Sequence, residues 1–267
     1  MIPHYLRHLG RHLGRHLGLA AITLTFSAAS VGAEPKSGYH YIKPETREMQ
    51  DDDFANPGLA AVERGETLFH QALSAGTESC ADCHGDGGGE LTPSRIASYP
   101  VLERDKGEIT SLQAQIAQCR AERQSATPLA INHPDLLALE TYVRQLARGE
   151  PVQVETKGVR IAEILKKGDE LYRTQYGLID MSCYHCHTLY PGQWIRGQKI
   201  SEGRANGFPA YRLASGEITN LNMRITQCLT LMRAEPFPPD SGEIKLLEYY
   251  LSARSNGLAI ETPAVRY

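Results

Sequence analysis

Apolar positions along the chain recur in two matching sets. Leu59, Val62, Leu68 and Phe69 form a stripe within residues 58–73, and Ile161, Ile164, Leu165 and Leu171 form another within 160–175. Spacings of three and four residues place each set on one face of a helix. A second helical pattern follows each: LALETYVRQLARG (137–149) resembles LLEYYLSARSNG (246–257). His133-Pro134-Asp135 opens the first of these, because proline suits a first helical turn. Ser241 can cap the second, and Gly257 can end it. The intervening stretches, such as GDGGG (85–89) and YPGQW (190–194), are dense in Gly and Pro and read as loops. No convincing period-two strand run appears. The pattern predicts a mainly α fold.

The repetition is sharpest at GEITSLQAQIAQC (107–119) and GEITNLNMRITQC (216–228). Eight of the thirteen positions are identical, and both copies end in cysteine. RGETLF stands 16 residues before Cys80, and KGDELY stands 16 residues before Cys183. The chain is therefore a duplication of one unit: helix, loops, helix, cysteine, helix. The boundaries read as an irregular extension (34–57), a first unit (58–150) and a second (151–267), joined by the linker GEPVQVETKG (149–158).

The first 33 residues carry a different pattern. Arg7, Arg11 and Arg15 precede the apolar run LGLAAITLTFSAA (17–29), and Val31 and Ala33 are small residues suited to a cleavage site. This is the layout of a secretory signal, too short to span a bilayer, and it places the mature protein in the bacterial periplasm. No later run reaches membrane length. The formal charge of −3 argues against a nucleic-acid partner. Aromatic content is low, so a large apolar prosthetic group could supply core volume.

The six cysteines decide which group. Residues 80–84 read CADCH and 183–187 read CYHCH. In an exported chain an even count first suggests disulfides, but C-x-x-C-H marks covalent c-type haem attachment. Two thiols form thioethers to the haem vinyls, and the adjacent histidine reaches the iron. Two matches at the same place in a repeat predict two haems, held by Cys80 and Cys83 with His84, and by Cys183 and Cys186 with His187. Zinc is the main competitor for such pairs; a thioredoxin-like pair lacks its βαβ context. A helix before and after C-x-x-C-H is how small c-type cytochromes are built, so the fold reads as two fused cytochrome c-like domains.

The second axial ligand is open at this level. No methionine lies between His84 and Met181, which leaves His133 or Cys119 for the first haem. Cys228, Met223 and Met232 are available to the second, and a Cys119–Cys228 disulfide would remove both thiols. A thiolate ligand would disfavour reduced iron and give low potentials.

The two copies differ in charge. Gln115 in the first is Arg224 in the second, four residues before Cys228 and on the same helical face. From His187 to Arg233 there are six basic and two acidic residues; from 84 to 124 there are five and six. One loop region is cationic and suited to a dianion. Arg173, Lys199 and Arg212 are further candidates for framing an entrance. His185 reads as solvent-facing filler and Trp194 as packing near the second haem.

The runs IRGQKISEGRANGFPAYRL (195–213), GEITNLNMRITQC and LMRAEPFPPDSGE (231–243) resemble the SoxA family. That family supplies the catalytic subunit of the SoxAX cytochrome of bacterial sulfur oxidation. The resemblance implies His84 and Cys119 as axial ligands of haem 1, and His187 and Cys228 as those of haem 2. It implies Cys228 as an active-site persulfide and Arg224 as a substrate-binding residue. The implied reaction is oxidative conjugation of thiosulfate to a cysteine of the SoxYZ carrier, with the monohaem cytochrome SoxX as partner subunit. The competing functions are a dihaem electron-transfer cytochrome without its own substrate, and a thiosulfate dehydrogenase forming tetrathionate.

Overall fold

The duplicated helical patterns become two helix pairs. The computed structural model describes residues 34–74 and 76–267; the predicted signal segment 1–33 lies outside them. After a 3-10 turn at Gly38–Tyr41 come α1 (Pro44–Asp51), α2 (Leu59–His70), α3 (Cys80–His84) and α4 (Pro93–Ala97). A hairpin of β1 (Val101–Glu103) and β2 (Glu108–Thr110) leads into α5 (Leu112–Arg123) and α6 (Pro134–Gln145). The second copy runs α7 (Val159–Arg173), a π-helical turn at His185–Leu189, β3 (Trp194–Ile195), β4 (Gln198–Lys199), β5 (Ala210–Arg212), β6 (Glu217–Thr219), α8 (Leu221–Leu231) and α9 (Gly242–Ala253). β7 (Ala264–Arg266) closes a three-stranded sheet in the order β6-β5-β7, antiparallel then parallel.

Close helix packing is written into twin glycines. Gly65 on α2 faces the Ala138 carbonyl of α6, and Gly168 on α7 faces α9. A Cβ at Gly168 would meet Tyr250 Cβ at 2.5 Å and Leu246 O at 2.9 Å. Only hydrogen fits there, so the helix axes approach closely. Phe69, Leu139 and Tyr142 fill one core; Tyr172, Leu229, Ile244 and Leu247 fill another. Ile161, Ile164 and Tyr249 of the second copy pack into the first core.

Several elements differ from the expectation. The shared GEIT tetrapeptides form strands; the helices begin only after Ser111 and Asn220, which cap α5 and α8 by accepting from Ala114 N and Met223 N. Strands of two or three residues are too short to show alternation. The extension 34–57, read as irregular, contains the 3-10 turn and α1. The linker is tied down: Val152 and Val154 are buried, and Val152 N donates to Leu258 O at 2.9 Å. Helix α9 stops at Ala253, four residues before Gly257.

The duplication also brings twin carboxylates together. Glu140 on α6 and Glu248 on α9 occupy matching positions of the closing helices, and each feels the buried surroundings between the copies. Burial pushes Glu140 up to about 7, against the pull of Asn220, Arg144 and Gln113. Burial, then Glu140 and Asp240, push Glu248 up to about 8, opposed by Lys245. Gln113 Nε2 and Asn220 Nδ2 donate to Glu140 Oε2 at 2.8 and 3.1 Å. The folded form keeps protons that the unfolded chain gives up near pH 4.5, so stability falls as pH rises from about 4.5 to 8. Replacing both by glutamine should raise Tm at pH 8.5 by about 4–8 °C, equivalent to about 2 kcal/mol, and change it little at pH 5. Thermal unfolding followed at both pH values checks this.

Candidate functional site

Each C-x-x-C-H segment opens into a cavity. The larger, about 550 Å³, is lined by Cys183, Cys186, His187, Arg224 and Cys228. The smaller, about 360 Å³, is lined by Cys80, Cys83, His84 and Cys119. The predicted residues thus separate into two sets. All six cysteines are free, with Cys119 and Cys228 on different cavities.

Local chemistry positions the larger cavity's imidazole. Ser201 O is 2.8 Å from His187 Nδ1; a carbonyl can only accept, so Nδ1 donates to it and Nε2 is the nitrogen left to bind a metal when the ring is neutral. Gly203 holds a left-handed φ of +67° against the ring, where a Cβ would meet His187 Cγ at 2.9 Å. The opposite wall is α8. Arg224 and Cys228 lie one turn apart on it, and Arg224 Nη1 also donates to Gln227 Oε1 at 3.2 Å. Burial raises the Cys228 thiol, but Arg224, His187 and Arg212 outweigh it and bring the group down to about 7. Its cavity neighbours go the other way: burial and the charge of Cys228 push Cys183 up to about 12 and also raise Cys186. Burial keeps the paired thiols protonated, while the cations beside Cys228 bring its thiol to where a substantial fraction is thiolate at neutral pH.

The donor set fits haem c. Among the described residues no three His, Cys, Asp or Glu side chains converge on a bare ion. In each cavity the paired thiols, an imidazole and a further thiol line one mainly apolar space.

The other sequence candidates fall into place around this. His133 caps α6, its Nδ1 accepting from Asp135 N at 3.2 Å, and lines neither cavity. Met232 is buried at the wall of the larger cavity, whereas Met223 does not line it. Lys199, Arg212 and Trp194 line it; Trp194 is 59% exposed, with Lys199 Nζ 5.7 Å from its ring centre. Arg173 does not line it: Asp169 binds its Nε at 2.8 Å, and it stacks on Tyr184. His185 is half-buried, its Nδ1 2.7 Å from Ser182 Oγ, not solvent-facing filler.

The largest surprise is the N-terminal extension. Tyr41, Lys43 and Arg47 wall the larger cavity. Tyr41 OH donates to Glu202 Oε1 at 3.0 Å, and Gln50 Oε1 accepts from Val265 N at 3.0 Å. No motif announces this wall, because the contacts join residues more than 150 positions apart.

Counted by side chain, eight lysines and arginines line the larger cavity and no acid does. The smaller has Arg95, Arg120 and Arg123 beside Glu78. The larger can therefore concentrate an anion beside an activated sulfur.

The comparisons with known proteins agree. Residues 64–152 and 167–260 match the SoxA/TsdA cytochrome c domain. The chain is 36% identical over 233 residues to the L-cysteine S-thiosulfotransferase subunit SoxA of Pseudaminobacter salicylatoxidans, covering 87% of this chain and 81% of that one. It is 34% identical to the subunit of that name from Rhodovulum sulfidophilum, covering 87% and 80%. Its fold matches the crystal structure of SoxXA from P. pantotrophus with a TM-score of 0.80 and 31% identity, covering 87% of each chain.

Proposed function

The chain belongs to the SoxA family of c-type cytochromes, and we propose that it works as an L-cysteine S-thiosulfotransferase subunit, conjugating thiosulfate to a cysteine of the SoxYZ carrier. One observation carries the reading: a thiol favoured as thiolate and an arginine one turn away face a cavity with no acidic lining.

It is a haem c protein, and the reading gives it two such groups, on residues 58–150 and 151–267. Haem c, when bound, would supply a one-electron acceptor and an iron that takes side-chain ligands. His84 and Cys119 are suited to hold the first, and His187 and Cys228 the second. The protein's own contribution is to bind and place. Arg224 offers its guanidinium to the sulfonate oxygens of thiosulfate through paired, charge-assisted bonds. That orients the outer sulfur toward Cys228.

Joining the Cys228 thiolate to thiosulfate forms one S–S bond and releases two electrons. The incoming carrier thiolate then attacks the outer sulfur of that adduct, takes the S–SO₃⁻ fragment, and regenerates the Cys228 thiolate. If Cys228 carries a persulfide, the same exchange occurs one sulfur further out. SoxX is the partner subunit, and the predicted export signal places the reaction in the periplasm.

The test supplies thiosulfate and a ferric acceptor with and without carrier. A conjugated carrier cysteine is expected. Tetrathionate irrespective of carrier would make the protein a thiosulfate dehydrogenase, and no turnover would leave a plain cytochrome. Intact-mass measurement is expected to show two haems and one added sulfur.

A further inference from the structure

Arg212 stands on β5, at the wall of the larger cavity. The residue is 7% exposed and its side chain lines the cavity. Yet among the described residues no protein group hydrogen-bonds or ion-pairs with it. Two other arginines on this cavity are satisfied differently: Arg204 pairs with Glu202, and Arg266 with Glu261. Burial, then Arg224 and Arg266, act against the charge of Arg212; Cys228 favours it. A guanidinium does not surrender its proton in a protein, and a buried cation without a partner is costly. Arg212 and Arg224 line the same cavity, and no acidic side chain lines it with them. A further anion has to come from outside the polypeptide.

The duplication shows that the fold does not need this cation. In the first copy β1 pairs with β2 through Glu103↔Glu108, and in the second β5 pairs with β6 through Arg212↔Glu217. Each pair leads into the same GEIT sequence, so the counterpart of Arg212 is Glu103. The counterpart of Arg224 is Gln115. A carboxylate and an amide hold the same scaffold in the copy whose cavity mixes charges. Both positions become arginine only beside Cys228.

We infer that Arg212 and Arg224 form a two-cation clamp that selects divalent sulfur oxoanions over monovalent anions, with Arg212 bonded directly to the sulfonate end. The inference rests on the reading of this cavity as the thiosulfate site. The competing acceptor for Arg212 is a haem carboxylate, and the experiment separates the two.

Calorimetric titration of the oxidised holoprotein with thiosulfate, sulfate and thiocyanate measures the divalent preference, and steady-state rates with thiosulfate give KM and kcat. Arg212→Met removes the buried charge without leaving an orphaned polar group. It should raise the thiosulfate Kd and KM at least about tenfold, the loss of one charge-assisted contact. It should also abolish the preference for sulfate over thiocyanate. Haem absorption should stay as in the parent, and Tm in anion-free buffer should not fall. Arg212→Lys should recover part of the divalent preference, and Arg212→Gln serves as the test if the methionine variant does not fold.

Unchanged thiosulfate affinity in Arg212→Met or Arg212→Gln would overturn the inference. So would a lowered Tm in anion-free buffer with intact anion binding, which would assign Arg212 to a haem carboxylate. Arg224→Gln in the same titration distinguishes the levels. If it loses thiosulfate while Arg212→Met keeps it, only the clamp fails; if neither loses it, the reading of the cavity fails.

Discussion

Replacing Cys228 with alanine lowers the thiosulfate-dependent kcat by on the order of 10⁴ or more, whereas Cys119→Ala leaves it within about threefold. The two cysteines end the same repeated segment, and each lines a cavity beside a C-x-x-C-H segment. Both substitutions remove the same atoms from matching helices, so a general loss of packing or haem retention affects them alike. What separates them is the surroundings. Cys228 has Arg224, His187 and Arg212 favouring its thiolate, and in the proposed reaction it is the thiol that takes the sulfur fragment. Initial rates with carrier, together with the absorption spectrum of each variant, check this. Equal losses in both variants would mean that the first copy is as necessary for chemistry as the second, and the assignment of the active site to residues 151–267 would fall.

Arg224→Ala lowers kcat/KM for thiosulfate by about 10²–10³-fold, the loss of a bidentate charge-assisted contact to a dianion in a poorly hydrated cavity. The geometry makes the effect selective. Arg224 reaches Gln227 and the cavity but touches no residue of the C-x-x-C-H segment by hydrogen bond. The haem absorption should therefore match that of the parent. Arg224→Lys recovers only part, because an ammonium cannot present two parallel donors. Gln115→Arg, added in the twin position, restores nothing, since that cavity already mixes arginines with Glu78. Kinetics of the three variants, each with its spectrum, decide the matter. A spectral change in Arg224→Ala would make this side chain a structural support.

The helix pairs were legible because their apolar residues recur at helical spacing. Gly65 and Gly168, which set how closely the pairs approach, sat inside the repeated RGETLF and KGDELY without declaring their role. The α1 helix was not legible: PETREMQD is almost wholly polar, and its position depends on Gln50 reaching β7. The short strands were invisible because three residues cannot show alternation. At the site, the C-x-x-C-H pairs, the twin cysteines and the Gln115/Arg224 contrast could be read as spacing within one repeat. The distinction of Arg212 from Arg173 could not. One is buried without a partner on a cavity wall, and the other is bound to Asp169 outside it.

The chain alone therefore determined the haem-binding segments, the duplication and the asymmetry of charge between its copies. These are relations of covalent distance and repeated register, and they survive in an unfolded polypeptide. The tertiary structure decided which thiol is favoured as a thiolate, which arginines stand over it, and that the N-terminal extension closes the cavity. Those properties come from burial and from the Coulomb field of groups far apart in sequence, neither of which exists until the chain has folded.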